Sequence, residues 1–247
     1  MAPNTKEAAT ELLPLLGVYT DGTLERLVSS PFVPKTLDET ITGVSSKDIS
    51  ISSDVSARLY LPKHGHTDDS QKLPILVYFR LGFCAGSTFS SDHHRYINTL
   101  VSQVKILAIS VEYRLAQEHP LLTAYEDSRT VLQWVSSHKV RNNIDLESRG
   151  ICPIIGSFNP VIYHKFRWEL QLSGASATNT DHVKGSFLDQ EPWLLDHVDF
   201  ERLFIDGDTT GANIVHNITL RAGIENLHGN AKILGHSFVN RISGARS

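Results

Sequence analysis

The sequence predicts a single α/β domain over residues 1–247, built in three layers around a mostly parallel central sheet. Two continuous apolar runs, 73–79 and 106–111, are typical of strands that are covered on both faces. Three segments have apolar residues at helical spacing, and each follows a strand-like run. They are 93–104, 125–138 and 212–222. Because strands and amphipathic helices alternate along the chain, the pattern indicates βαβ units, which form parallel sheets.

Composition and charge narrow the possible functions. Of the 247 residues, 40% are hydrophobic and 20% are charged, as is common in globular proteins. The formal net charge is −4 and no basic block occurs, which argues against a nucleic-acid partner. No run approaches the roughly 20 apolar residues of a membrane span, and the histidines and cysteines lack metal-ligand spacing. We therefore expect a cytoplasmic protein with no metal, no organic cofactor and no membrane partner.

The N-terminal part of the chain carries signals for several short elements. Residues 7–17 predict an amphipathic helix that is interrupted near Pro14. Asp21-Gly22 predicts the turn of a β-hairpin. The alternating segments 47–53 and 56–61 predict half-buried strands.

One long segment in the second half of the chain has little periodicity. Residues 139–187 mix glycine, serine, asparagine and threonine with isolated aromatic residues. A loop of that length inside a compact domain is uncommon, so we expect an atypical, poorly ordered insert. Beyond it, the apolar runs 202–205 and 231–235 predict two further strands.

The most informative motif lies between the predicted strand at 202–205 and the helix that follows it. Gly207-Asp208-Thr209-Thr210-Gly211 has the spacing of G-x-S-x-G, in which a strand turns sharply into a helix and presents a nucleophile. The two glycines allow close backbone packing, and Asp208 lies near the positive end of the helix dipole. Thr209 stands where serine would stand, so it is the candidate catalytic residue, and it needs a base for acyl transfer.

Three polar residues come directly after the strand at 106–111, namely Glu112, Tyr113 and Arg114. In α/β sheets, ligands bind at the carboxyl ends of the strands. We expect these side chains to fix the loop beneath the pocket through hydrogen bonds and an ion pair.

These motifs belong to a wider pattern that resembles the plant carboxylesterase family of α/β-hydrolases over roughly residues 8–138 and 188–235. Besides the elbow, the matching blocks are 73–79, 82–84, 110–116, 118–120, 124–127, 191–195 and 212–214. The resemblance implies an α/β-hydrolase fold with a lid-like segment at 1–45. The family includes 2-hydroxyisoflavanone dehydratases, which carry threonine at the elbow, and gibberellin receptors, which bind a ligand without turning it over.

The oxyanion segment departs from the family pattern. The family has H-G-G-G after its third strand, whereas this chain reads Phe79-Arg80-Leu81-Gly82-Phe83. The resemblance places Leu81, Gly82 and Thr210 at the oxyanion-hole positions. Leu81 carries a Cβ atom where the family has glycine, and losing one donor costs about 3–4 kcal/mol of transition-state stabilisation. We expect an impaired oxyanion hole.

The second departure concerns the partners of the nucleophile. The family's acid and base follow the elbow helix, and no residue up to Ser247 matches either of them. His216, on the elbow helix itself, is a poor substitute because a base must lie within about 3 Å of the hydroxyl group. We expect a fold that is incomplete at its C-terminus, with an exposed sheet edge that permits self-association.

Several functions stay open at this point. The resemblance implies hydrolysis of a small carboxylic ester, or dehydration of a 2-hydroxyisoflavanone, with impaired activity in this chain. The ligand is then a small ester or a flavonoid-like plant metabolite. The alternatives are a non-catalytic ligand-binding protein similar to the gibberellin receptors and a truncated product without function.

Overall fold

A computed structural model describes residues 8–12, 16–27, 31–36, 41–63, 72–80, 86–116, 118–148, 190–224 and 232–239. Nine strands and four helices lie in these ranges. In chain order they are β1 (Ala8–Leu12), β2 (Leu16–Tyr19), β3 (Leu24–Arg26), β4 (Val44–Ser50), β5 (Ser56–Pro62), β6 (Leu73–Phe79), α1 (Ser91–Val104), β7 (Leu107–Glu112), α2 (Leu121–Ser148), α3 (Pro192–His197), β8 (Val198–Asp208), α4 (Thr210–Ile224) and β9 (Ile233–Val239).

The main sheet has six strands in the order β4-β5-β7-β6-β8-β9. The pairs β7–β6, β6–β8 and β8–β9 are parallel, whereas β4–β5 and β5–β7 are antiparallel. The crossover from β6 to β7 runs through α1, as a parallel pair requires. The predicted α/β class with a mostly parallel central sheet is confirmed.

Side chains of β6 alternate between two cores on opposite faces of the sheet. Ile75, Val77 and Phe79 pack in a cluster that includes residues of α2, α3 and α4. Leu76 and Tyr78 pack on the other face with residues of α1. Because both faces of this strand are covered, its sequence reads as a continuous apolar run, and that run predicted the bounds of β6 correctly.

A separate three-stranded antiparallel sheet, β1-β2-β3, lies at the N-terminus. The predicted hairpin is confirmed: Gly22 has φ 80°, and Asp21 Oδ1 accepts a hydrogen bond from the Thr23 amide at 2.8 Å. The predicted helix at 7–17 is wrong, because β1 and β2 pair there in antiparallel register. A helix broken near Pro14 is too short to be stable in isolation. Pairing of β1 with β2 satisfies the backbone N–H and C=O groups of these residues instead.

Helix α2 includes the first ten residues of the predicted insert. It ends at Ser148, so residues 139–148 are helical and not part of an irregular segment. Its extension is fixed to β8 by an ion pair between Lys139 Nζ and Glu201 Oε1 at 2.8 Å, and His138 Nε2 accepts a hydrogen bond from the Glu191 amide at 3.1 Å. The rest of the predicted insert, 149–187, lies outside the described residues.

Candidate active site

The turn between β8 and α4 has the backbone geometry of a nucleophile elbow. Strand β8 ends at Asp208, helix α4 begins at Thr210, and Thr209 between them has φ 47°. A β-branched residue rarely adopts this left-handed conformation, because its Cβ substituents crowd the backbone. Such strain persists only where the surrounding structure enforces it, and it concentrates at functional sites.

Both predicted supporting glycines are required by close backbone packing. A Cβ atom at Gly211 would lie 1.9 Å from the carbonyl oxygen of Phe79 and 3.0 Å from that of Arg80. A Cβ atom at Gly207 would lie 2.5 Å from the carbonyl carbon of Gly211. These contacts are with backbone atoms, which cannot move aside as a flexible side chain does. The elbow therefore packs directly on the end of β6.

The side chain of Thr209 ends in a buried hydroxyl group. Its Oγ1 atom has no hydrogen-bond partner among the residues that the structure describes. A buried hydroxyl group without a partner costs about 1–3 kcal/mol, so native structures keep few of them. His216 lies on α4 and is exposed, as expected of a residue that does not serve as the base. No base is thus hydrogen-bonded to the Thr209 hydroxyl group in the described part of the chain.

The other predicted site residues fall partly within the described structure. Burial raises the pKa of Tyr78, and the negative charge of Asp208 acts in the same direction. Thr210 is the first residue of α4. Backbone N–H groups in the first turn of a helix have no partner within the helix, so they can bind an oxyanion. Leu81 and Gly82 lie outside the described residues.

Glu112, at the end of β7, joins the two chain segments on either side of residues 81–85. One of its oxygens accepts a hydrogen bond from the Thr88 amide at 2.6 Å. Its carboxylate also pairs with the buried guanidinium of Arg80 at 3.2 Å. The neighbouring Tyr113 donates its hydroxyl hydrogen to the Arg80 carbonyl oxygen at 2.9 Å.

Arg114 completes this group of residues after β7. Its guanidinium forms a salt bridge with Asp127 of α2 at 2.7 Å, and its amide donates to the same carboxylate at 2.9 Å. A second carboxylate, Asp54, lies 3.6 Å away. The hydrogen bonds and ion pairs expected of Glu112, Tyr113 and Arg114 are confirmed.

A polar cluster on the α1 side of the sheet was not predicted from the sequence. His93 Nε2 lies 2.7 Å from Ser110 Oγ, and Ser110 Oγ lies 2.6 Å from Thr88 Oγ1. Burial lowers the pKa of His93 to about 3, and the positive charge of Arg80 acts in the same direction. The ring of His93 also packs on that of Tyr78, with centroids 5.4 Å apart. The cluster was missed because its members come from three distant chain segments.

A polar cavity of about 430 Å³ lies at the carboxyl end of β7. One wall carries the ion pair of Arg26 with Glu118, whose atoms lie 2.6 Å apart, and this hydrogen bond lowers the pKa of Glu118. Tyr113 lines the cavity and also shares a hydrogen bond with the side chain of Thr210. The remaining lining residues are Asp54, Ser56, Glu112, Arg114, Leu115 and His119.

Within the described ranges, no group of three or more histidine, cysteine, aspartate or glutamate side chains is arranged to hold a metal ion. No helix in the same ranges is long and apolar enough to cross a membrane.

Comparison with known proteins identifies the family. The sequence profile of a family described as having the alpha/beta hydrolase fold matches residues 76–243. That region contains the second half of β6, the elbow and β9, so the match and the geometry concern the same elements. The chain belongs to the α/β-hydrolase fold family.

Particular relatives agree with the predicted resemblance. A 2-hydroxyisoflavanone dehydratase from Glycyrrhiza echinata is 44% identical over 234 residues, which are 94% of this chain and 58% of that protein. Probable carboxylesterase 2 from Arabidopsis thaliana is 37% identical over 225 residues, 90% of this chain and 55% of that protein. The chain thus spans a little over half the length of these curated relatives.

Among solved structures, the crystal structure of vibralactone cyclase aligns with a TM-score of 0.52 at 14% sequence identity. The alignment covers 81% of this chain and 43% of that chain. At this identity the likeness concerns the fold alone. It agrees with the α/β class described above.

The pKa of His93 leads to a pH dependence of stability. In the unfolded chain His93 binds a proton near pH 6.5, whereas in the folded protein it does so only near pH 3. As the pH falls below 6.5 the unfolded chain gains a proton that the folded protein does not, so stability decreases. We expect this histidine to contribute a loss of roughly 1–2 kcal/mol between pH 6.5 and 5.

Urea unfolding at several pH values measures this effect. His93→Gln should reduce the slope of unfolding free energy against pH in that window. The charged groups that act on His93 are Arg80, His94 and Arg58, and the substitution leaves them in place. His216→Gln, at an exposed position, is the control and should keep the wild-type slope. Equal slopes for all three proteins would show that His93 is not held neutral.

Proposed function

We propose that the protein acts on a small plant metabolite, with Thr209 as its reacting hydroxyl group, and that it favours dehydratase-like elimination over ester hydrolysis. The observation that carries the proposal is the strained turn at Thr209, which aims a buried Oγ1 atom without a partner among the described residues. Strain and an unsatisfied hydroxyl group at one residue both cost stability. A functional demand accounts for their retention.

Elimination of water suits this geometry better than acyl transfer does. In the elimination, a water molecule takes the proton of the C–H bond, a C=C bond forms, the C–O bond breaks, and the departing hydroxide takes a proton from solvent and leaves as water. A threonine hydroxyl group assists by donating a hydrogen bond to the departing oxygen, which needs no prior loss of its own proton. Acyl transfer requires a base that removes the threonine proton, and no described residue is hydrogen-bonded to Oγ1.

The relatives support this choice of reaction. The 44% identical relative from Glycyrrhiza echinata is named a 2-hydroxyisoflavanone dehydratase, so a flavonoid-like ligand is part of the proposal. A small carboxylic ester is the second ligand class, as the name of the Arabidopsis thaliana relative indicates. A non-catalytic ligand-binding role is the alternative, and the lack of a described base at Thr209 is the observation that favours it.

We propose that the N-terminal sheet β1-β2-β3 acts as a lid beside the site. Arg26, the last residue of β3, reaches Glu118 after β7 and forms one wall of the polar cavity. The cavity volume of about 430 Å³ is within the usual range of ligand pockets. Polar substituents of a ligand would find both donors and acceptors in it.

Thr209 variants test the proposed reaction. Thr209→Val keeps the shape and the β-branch but lacks the hydroxyl group, so dehydration of a 2-hydroxyisoflavanone should fall at least about tenfold. Thr209→Ser should retain dehydration and should gain little hydrolysis of p-nitrophenyl acetate, because serine also needs a base. Thr219→Val removes a hydroxyl group that bonds within α4 and is the control.

Isoflavone formation and p-nitrophenol release are followed by absorbance for all four proteins. Saturable binding of the 2-hydroxyisoflavanone without turnover by the wild type would favour the ligand-binding alternative. Equal dehydration by wild type and Thr209→Val would contradict the role of the hydroxyl group. A hundredfold gain of ester hydrolysis in Thr209→Ser would reveal a working base.

We also propose that the protein self-associates through the edge at β9. This strand is the last in the described sheet, and its Leu234 is 58% exposed. An exposed strand edge with apolar side chains is a template for pairing with another chain. Leu234→Lys should shift the protein toward the monomer in size-exclusion chromatography with light scattering, whereas Leu122→Lys, on an exposed helix position, should not. Monomeric wild-type protein at high concentration would refute this.

A further inference from the structure

Tyr113 contacts the two sides of the candidate site at once. Its hydroxyl group donates to the carbonyl oxygen of Arg80 at 2.9 Å, and it also shares a hydrogen bond with the side chain of Thr210. Arg80 follows β6 and precedes the segment at the predicted oxyanion positions, whereas Thr210 directly follows Thr209. One phenol group thus joins the oxyanion side to the elbow side.

The spacing between these two sides is tight. Gly211 packs so closely on the backbone of Phe79 and Arg80 that even a Cβ atom would overlap the Phe79 carbonyl oxygen. A hydrogen bond at this point therefore helps to hold the end of β6 against the start of α4. Misplacement of catalytic groups by about 1 Å costs roughly a hundredfold in rate.

Tyr113 is itself held in place by its neighbours. Its side chain is only 2% exposed. The guanidinium of Arg80 lies over its ring, 5.0 Å from the centroid, and that guanidinium is paired with Glu112. Burial raises the pKa of Tyr113 to about 12, so the hydroxyl group keeps its proton, and with it the hydrogen bond to Arg80, throughout the neutral range.

We propose that Tyr113 is a positioning residue for the reaction at Thr209. Its hydroxyl group sets the distance between the Arg80 carbonyl group and the Thr209–Thr210 turn, and thereby the placement of Thr209 Oγ1 and the Thr210 amide relative to the substrate. The effect of Tyr113 on the reaction rests on the proposed function. Its effect on the position of the elbow turn does not depend on that function.

The test compares Tyr113→Phe with a matched hydroxyl deletion. Tyr113→Phe removes the bridging hydroxyl group and keeps the ring on which Arg80 stacks. Tyr125→Phe removes a hydroxyl group that donates to Asn213 Oδ1 at 2.6 Å, also on the first turns of α4 but away from β6. We expect Tyr113→Phe to lower kcat for 2-hydroxyisoflavanone dehydration by about 10- to 100-fold, with KM within about twofold, and Tyr125→Phe to leave both near wild type.

Amide hydrogen exchange supplies a readout that does not depend on turnover. Tyr113→Phe should raise exchange at least about tenfold at the Asn213 amide, which donates to the Thr209 carbonyl oxygen, whereas Tyr125→Phe should leave this amide unchanged. If the wild type shows no turnover, the proposed function fails, and the effect on the position of the elbow turn is decided by exchange alone. Unchanged exchange in Tyr113→Phe, or an unchanged kcat in an active enzyme, overturns the inference.

Discussion

The close contact between Gly211 and the carbonyl group of Phe79 is the constraint on which the site depends. No side chain fits between the start of α4 and the end of β6, since even a methyl group would overlap the backbone. Parallel pairing of β6 with β8 brings the two strand ends to the same edge of the sheet. The turn that joins β8 to α4 must therefore reverse within one residue, and Thr209 takes the left-handed conformation that makes this possible.

The residues after β7 reinforce that contact from the side. Glu112 binds Arg80 and the Thr88 amide, and Tyr113 connects Arg80 to Thr210. Buried ion pairs of this kind add little net stability compared with well-packed apolar groups in their place. They do, however, define one geometry. Their effect here is to hold the strained turn and its hydroxyl group in a single arrangement.

The sequence predicted those features that depend on local spacing. The apolar run predicted the bounds of β6, and the local pattern around residues 207–211 predicted a strand followed by a helix, as observed. The helix predicted at 7–17 failed because pairing between β1 and β2 overrides weak local preference. The partners of Arg80 and His93 were not predictable, because they lie on strands and loops that meet only in the folded chain.

The central claim is that Thr209 is kept in an unfavourable conformation for the sake of its hydroxyl group. The unfolding free energy of Thr209→Gly tests it most directly, with Lys105→Gly as the reference, because Lys105 is the other non-glycine residue of positive φ among the described residues. Glycine removes the left-handed strain and the buried hydroxyl group at Thr209. We expect Thr209→Gly to be more stable than the wild type by about 1 kcal/mol, while losing turnover. A Thr209→Gly protein that is less stable than the wild type, with Lys105→Gly unchanged or more stable, would contradict the claim.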